Sequence, residues 1–188
     1  MNGFIFQSRN QVPLLAIVEQ VTCCPYSHCG IIHGDTVIES IETVQETPLD
    51  VWIAQGRGSW YSIYSTGDGE TDRLAYSRAK DWLGLPYDMT FDLYRPDSCF
   101  CSKLLYYGLQ EAGYWSKQPL EIKTIKEYDL GSSWEKIVAA YAELGVTDLA
   151  PCLENYTVSP SEIASRLRLV ATSFPPKPPC PTPVFALM

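Results

Sequence analysis

The chain has 188 residues, 46% of them hydrophobic and including five Trp and twelve Tyr, enough for one domain with a packed core but short of two. Lys and Arg number fourteen against twenty-two Asp and Glu, for a net charge of −8, and the cations form no basic stripe, which argues against nucleic acid as a partner. No run approaches the roughly 20 apolar residues of a membrane span.

Residues 3–6 form a short apolar run that reads as a strand. Residues 12–21 read as a helix. Residues 12–18 within it are too short, and lack the small-residue cleavage site, for a signal peptide. A cytoplasmic location is therefore expected, with delivery by another system and a bacterial or phage origin left open. The seven cysteines are then read as reduced thiols. Residues 26–32 and 36–41 are rich in β-formers and flank His33-Gly34-Asp35, a hairpin signal in which Gly34 can take a positive φ. Residues 51–54 and 60–65 read as two further strands, separated by Gly56-Arg57-Gly58.

Residues 68–71 are polar and turn-like. Residues 73–83 carry Leu74, Ala75, Arg78, Ala79 and Trp82 at helical spacing, with Gly84 and Pro86 as stops. Residues 85–100 look irregular. Residues 102–112 place Leu104, Leu105, Gly108, Leu109 and Ala112 on one stripe, which predicts a helix buried on one face and ended by Gly113. Residues 133–144 predict another helix, closed by Gly145. Ser159-Pro160-Ser161-Glu162 is a capping box with proline at the first helical position. A short helix over 160–167 and a last strand through Leu169 and Val170 should follow. From Phe174 the chain is polyproline-like. The domain is therefore expected to span 1–173, with 174–188 as a proline-rich tail.

Two segments carry chemistry. Phe100-Cys101-Ser102-Lys103 lies where the irregular stretch becomes a helix, and the helix dipole and free N–H groups there favour a thiolate. Ser27-His28-Cys29-Gly30-Ile31 places a histidine on a strand. A thiol at a helix start and a separate histidine are the parts of a cysteine nucleophile and its base. With a turn at His33-Gly34, residue 28 falls opposite 39, so Glu39 would stand about 5 Å from His28 across the hairpin and could orient the imidazole. A turn shifted by one residue moves Glu39 to the diagonal on the same face. Glu42 falls on the opposite face. Cys99, two residues before Cys101, reads as packing.

Other readings are weaker. Cys23, Cys24, His28, Cys29, Cys99 and Cys101 could be grouped into a zinc site, but neither cluster has the C-x₂-C spacing of structural zinc sites. No G-x-S-x-G elbow accompanies Ser27, and no phosphate-loop lysine follows Gly67-Asp68-Gly69. His33 should be solvated.

In their order, these pieces resemble the YiiX-like permuted papain-fold amidases, relatives of the NlpC-type and lecithin:retinol acyltransferase-type cysteine enzymes. Residues 25–31 resemble that family's histidine strand, and residues 36–40 its next strand with the acidic residue. Thr47-Pro48-Leu49-Asp50 fits the segment after it. Gly84-Leu85-Pro86-Tyr87-Asp88 and Phe100-Cys101-Ser102-Lys103-Leu104 resemble the nucleophile region, and Ser159-Pro160-Ser161-Glu162-Ile163 the C-terminal Ser-Pro segment. The likeness covers residues 3–170. Two departures stand out: Lys103 replaces the family's Glu, and Phe4 follows Gly3 where the family often has Gly-Asp.

The resemblance implies an α+β, circularly permuted papain-like fold, with a small antiparallel sheet packed on the nucleophile helix. It implies an amide- or ester-cleaving enzyme with Cys101 as nucleophile, His28 as base and Glu39 as orienter. Small peptide, amide or acyl substrates would be its partners, and neither metal nor organic cofactor would be required. An acyltransferase or lipid-directed esterase on the same site, and a non-catalytic binding module keeping the fold, are the alternatives.

Overall fold

A computed structural model describes residues 1–128, 130–143 and 148–175. Its centre is a six-stranded antiparallel sheet in the order β4-β3-β2-β1-β5-β8. β1 (Asn2–Gln7) is the apolar run at the N-terminus. Phe4, Ile5 and Phe6 are all fully buried because both faces of this strand are covered. β2 (His28–His33) and β3 (Thr36–Ser40) form the expected hairpin. Their register pairs His33 with Thr36 and Gly30 with Glu39, so the turn is Gly34-Asp35, with Gly34 at φ 65°. β4 (Val44–Pro48), β5 (Tyr61–Ser65) and β8 (Arg168–Thr172) complete the sheet.

The period-two alternation of the strands sorts their side chains into two layers. Phe4, Phe6, Cys29, Ile31 and Ile38 pack with Ala75, Leu104, Leu105 and Leu109. Those partners come from α3 (Gly69–Ala79) and α4 (Cys101–Glu111). Ile5, Ile32, Val37 and Ile63 face Trp52 on the opposite side. At Gly108 a Cβ would lie 3.0 Å from the Ala75 carbonyl and 3.1 Å from Ile31 Cδ1. A glycine therefore lets α4 settle against α3 and the sheet at once.

Trp52 corrects one expectation. Residues 51–54 are not a strand but belong to α2 (Leu49–Ala54). Val51, Trp52 and Ile53 have strand propensity, but Asp50 in the first turn suits a helix N-terminus, and the sheet face needed a cover. Tertiary burial overrode propensity. Similarly, residues 68–71 open α3 rather than form a separate turn. Asp68 caps it, its carboxylate accepting from the Glu70 N–H at 3.1 Å. The regular helix ends at Ala79 and runs on as a 3-10 turn over Lys80–Trp82.

α1 (Pro13–Thr22) and α5 (Trp134–Glu143) match the expected helices. Gly145, the expected stop of α5, lies outside the described residues. α6 (Pro160–Ala164) carries the capping box in full but stops short of residue 167. A two-stranded ribbon pairs β6 (Lys123–Thr124) with β7 (Tyr156–Thr157). Residues 85–100 hold only isolated pairings, Thr43 with Pro86 and Tyr87 with Cys99. Residues 176–188, most of the proline-rich tail, lie outside the described residues. Among the described residues no helix is long and apolar enough to cross a membrane.

Candidate active site

Cys101 is the first residue of α4, after an extended Phe100 at φ −110° and ψ 164°. No side chain caps this helix start, so its free N–H groups face the thiol end. Cys101 is 4% exposed, His28 2% and Glu39 0%. The three residues singled out in the sequence thus meet at one buried place, where the start of β2 approaches the start of α4.

Glu39 sits diagonally to His28, not opposite it, because the turn is displaced by one residue. The contact survives because Gly30, the residue directly across from Glu39, leaves its space empty. A Cβ at Gly30 would lie 2.4 Å from Val37 Cγ1 and 2.9 Å from the Ile38 carbonyl. His28 Nε2 reaches Glu39 Oε2 at 2.6 Å. A carboxylate only accepts, so Nε2 carries the proton and Nδ1 is left for the Cys101 sulfur.

The carboxylate is held by two further donors that sequence reading missed. Arg9 Nη2 donates to Glu39 Oε2 at 3.1 Å, and the Thr47 hydroxyl donates to Oε1 at 2.6 Å. Arg9 is 4% exposed and is itself anchored, donating to Gln55 Oε1 at 2.8 Å. With its amide oxygen turned to Arg9, Gln7 accepts from Arg9 Nη2 at 2.8 Å and gives its N–H to the Trp52 carbonyl at 3.1 Å. The Trp52 ring lies on His28, centroids 5.7 Å apart and planes 28° apart. Arg9 packs over the same indole at 5.6 Å. The imidazole therefore has an aromatic wall on one side and a fixed anion at its end. In sequence, Arg9 is one cation after a strand, which normally reads as solvated. Thr47 would have been found from the β3–β4 register, which places it diagonal to Glu39.

These contacts set the ionisation of the site. Burial disfavours a charged Glu39, but the bonds and charges of His28, Arg9 and Thr47 outweigh it and hold the carboxyl at about 2. For His28, burial and the Arg9 charge oppose protonation. Its bonds to Cys101 and Glu39 and the Cys101 charge prevail and raise its pKa. The Cys101 thiol is pushed well below its ordinary range, most strongly by the Cys29 thiol. Burial opposes this, while the His28 bond and charge and the Cys29 N–H assist it. Both shifts run in the direction of a thiolate beside an imidazolium.

Lys103 does not face the sulfur. It is 1% exposed, and its ammonium donates to the backbone carbonyls of Asp92, at 3.0 Å, and of Arg95. Lys103 thus pins the irregular 85–100 segment to α4. Cys99 is buried packing, as expected. Glu42 is exposed in the bend between β3 and β4. His33 is exposed and stacks on Tyr76 at 4.7 Å.

Cys101 and Ser102 form one wall of a cavity of about 770 Å³, counting its open mouth. Leu14, Ile17 and Val18 of α1 line it, with Ile137 and Tyr141 of α5, Tyr87 and Phe91 of the irregular segment, and Val158. Its walls are almost wholly apolar. Tyr87 lines the same cavity as Cys101, and burial, then the Cys101 charge, push the pKa of its hydroxyl well up.

Residues 4–171 match the profile of a family described as permuted papain-like amidase enzyme, YaeF/YiiX, C92 family. The chain belongs to this family. Its cysteine-hydrolase character follows at that level, as does its α+β, permuted papain-like fold. The YiiX protein of Escherichia coli (strain K12) is 29% identical over 167 residues, covering 84% of this chain and 79% of that protein. A crystal structure of yiiX from Escherichia coli O157:H7, described there as a metalloprotein, superposes with a TM-score of 0.76 at 28% identity. It covers 93% of this chain and 98% of its own. The donor set beside Cys101 in this chain does not make a metal site. Glu39 already accepts from His28, Arg9 and Thr47. Among the described residues no three of His, Cys, Asp and Glu are grouped as metal ligands.

Proposed function

We propose that this family member cleaves an amide bond through an acyl-enzyme on Cys101. The observation that carries the reading is the buried Cys101–His28–Glu39 arrangement opening into an apolar cavity. The thiolate attacks the carbonyl carbon, and a tetrahedral oxyanion forms. The Cys101 N–H at the start of α4 is one donor to it, and the Tyr87 hydroxyl is the second. The imidazolium of His28 gives its proton to the leaving nitrogen, and the amine departs. His28, now neutral, takes a proton from water, which attacks the thioester and releases the acid. Glu39 is a positioning residue: it fixes the ring so that Nδ1 meets sulfur, and it stabilises the ring's charge. Residues 1–173 form the catalytic domain, with the proline-rich tail outside it.

The cavity supports a narrower substrate class. A polar peptide would find few partners on these walls, whereas an apolar acyl group would exchange water for Leu14, Ile17 and Val18 at about 0.8 kcal/mol per methylene. The same apolar lining favours the acyl-transfer alternative, since an apolar amine or alcohol acceptor would be held there better than water. Anilides from acetyl to dodecanoyl test this. The account expects kcat/KM to climb several-fold per added methylene over the short members. A Val18→Glu variant should lose the climb while retaining acetyl hydrolysis. A flat profile in the wild type would refute the apolar acyl site.

Tyr87→Phe tests the oxyanion assignment. Loss of one donor should lower kcat by about 10²-fold while the alkylation rate of Cys101 stays as in wild type. An unchanged kcat would remove Tyr87 from the chemistry.

A further inference from the structure

Three thiols meet at the junction of β2 and α4, and the proposed reaction uses one of them. Cys29 follows His28 in β2. The strand alternation that sends His28 to the Trp52 layer sends Cys29 into the α4 layer, where it is fully buried in the same cluster as Cys101. Its backbone is also turned that way. The β1–β2 ladder ends with Gly34 N–H donating to the Met1 carbonyl, so residues 28, 30 and 32 present their N–H groups to β1. The Cys29 N–H therefore points to the other side, where pairing with β3 begins only at Gly30. The Cys29 side chain is packed in the same buried cluster as Cys101, and its thiol and amide are both among the groups that hold the Cys101 thiol down. Cys99 is differently engaged, its thiol donating to the Phe100 carbonyl at 3.4 Å.

We propose that Cys29 is a resolving thiol: a hydroperoxide entering the cavity oxidises Cys101, and Cys29 then closes a disulfide with it. The inference rests on the reading of Cys101 as a thiolate nucleophile. The thiolate attacks one peroxide oxygen, the O–O bond breaks, and the departing hydroxide takes the imidazolium proton of His28 and leaves as water. Cys101 is now a sulfenic acid. The Cys29 sulfur attacks it, the S–S bond forms and the S–O bond breaks. Hydroxide leaves with the proton that Cys29 gives up, as a second water. Two thiols are oxidised by two electrons in all, and one hydrogen peroxide is reduced to two waters. The nucleophile is thereby parked in a form that a dithiol can reverse, short of the sulfinic acid that it cannot.

The test treats the reduced protein with a several-fold molar excess of hydrogen peroxide, enough for the two oxidation steps to a sulfinic acid, blocks remaining thiols, and maps the products by mass spectrometry before and after dithiothreitol. The wild type should become about 2 Da lighter through one bridge between the Cys29 and Cys101 peptides, and dithiothreitol should restore an alkylatable Cys101. In Cys29→Ala, Cys101 should instead gain about 32 Da as sulfinic acid, which dithiothreitol does not reverse. A wild-type bridge to Cys99, or sulfinic acid at Cys101 in wild type and variant alike, would overturn the assignment of Cys29 while leaving the thiolate reading intact. A Cys101 inert to peroxide in both proteins would overturn both.

Discussion

Cys101→Ala should abolish turnover and leave the fold intact or more stable. The rate should fall by about 10⁴-fold or more, because the neighbouring hydroxyl in the cavity wall, Ser102, donates to the Val158 carbonyl and has no paired base among the described residues to activate it. Cys101→Ser should fail nearly as badly. A serine hydroxyl at this position would stay protonated, since its pKa lies far above a thiol's, and the site holds its partners ready for an anion. Stability should move the other way. A thiolate and an imidazolium kept from water are costly to hold, and alanine removes one charge while suiting the first turn of α4. Kinetics with the best anilide and a urea titration at pH 7 check both halves. Substantial residual turnover in Cys101→Ala would transfer the chemistry to another residue. A large loss of stability would make Cys101 a packing residue whose activity phenotype follows from unfolding.

Glu39→Gln should cost both rate and stability, and the two losses have separable causes. The amide keeps one oxygen where the carboxylate offered two, so His28, Arg9 and Thr47 cannot all be satisfied. The buried Arg9 guanidinium is left without its counter-charge, which costs about 3–5 kcal/mol. The imidazolium loses its anion, and turnover should slow by about 10²–10⁴-fold without vanishing. The pH dependence gives a sharper signature. Glu39 is held at about 2 in the folded protein against an ordinary value of 4.5. A carboxyl with a depressed folded pKa stabilises fully above its unfolded value and loses that contribution as pH falls through the folded one. The window here is therefore about pH 4.5 down to 2, and the contribution about 3 kcal/mol. Other carboxylates titrate in the same range, so the quantity to read is the difference between wild type and variant. That gap should be widest near neutrality and narrow across the window. A gap that stays constant with pH would mean that Glu39 is not ionised in the fold.

Much of the site was legible in the sequence because it is local. Strand alternation puts residues two apart on one face, so His28 and Glu39 share a face for either placement of the turn. The exact pairing was not legible. Gly34 can serve as the first or second residue of the turn, and only the β1–β2–β3 ladder as a whole selects Gly34-Asp35. Helix α4 was readable from its stripe and from Gly113, which takes φ 74° at its end.

What stayed hidden depends on contacts between distant segments. Arg9 looks like a surface cation until Glu39 and Gln55 are seen around it. Residues 51–54 have the propensity of a strand, and become a helix because Trp52 must roof the His28 imidazole. The apolar cavity is assembled from α1, α5 and the 85–100 segment, each an ordinary amphipathic or irregular stretch on its own. Lys103, two residues from the nucleophile in sequence, points to the Asp92 and Arg95 carbonyls because the first turn of α4 carries it round the helix from Cys101.

The most direct test of the central claim is the pH dependence of Cys101 alkylation by iodoacetamide, mapped by mass spectrometry in reduced wild type and in His28→Ala, with the other six cysteines as internal controls. The account predicts that Cys101 reacts far faster than the rest below about pH 7, and that this advantage is lost without His28. A Cys101 that is accessible yet titrates near 8.5 like an ordinary thiol, with or without His28, would contradict the thiolate–imidazolium pair and leave a binding module with a papain-like fold.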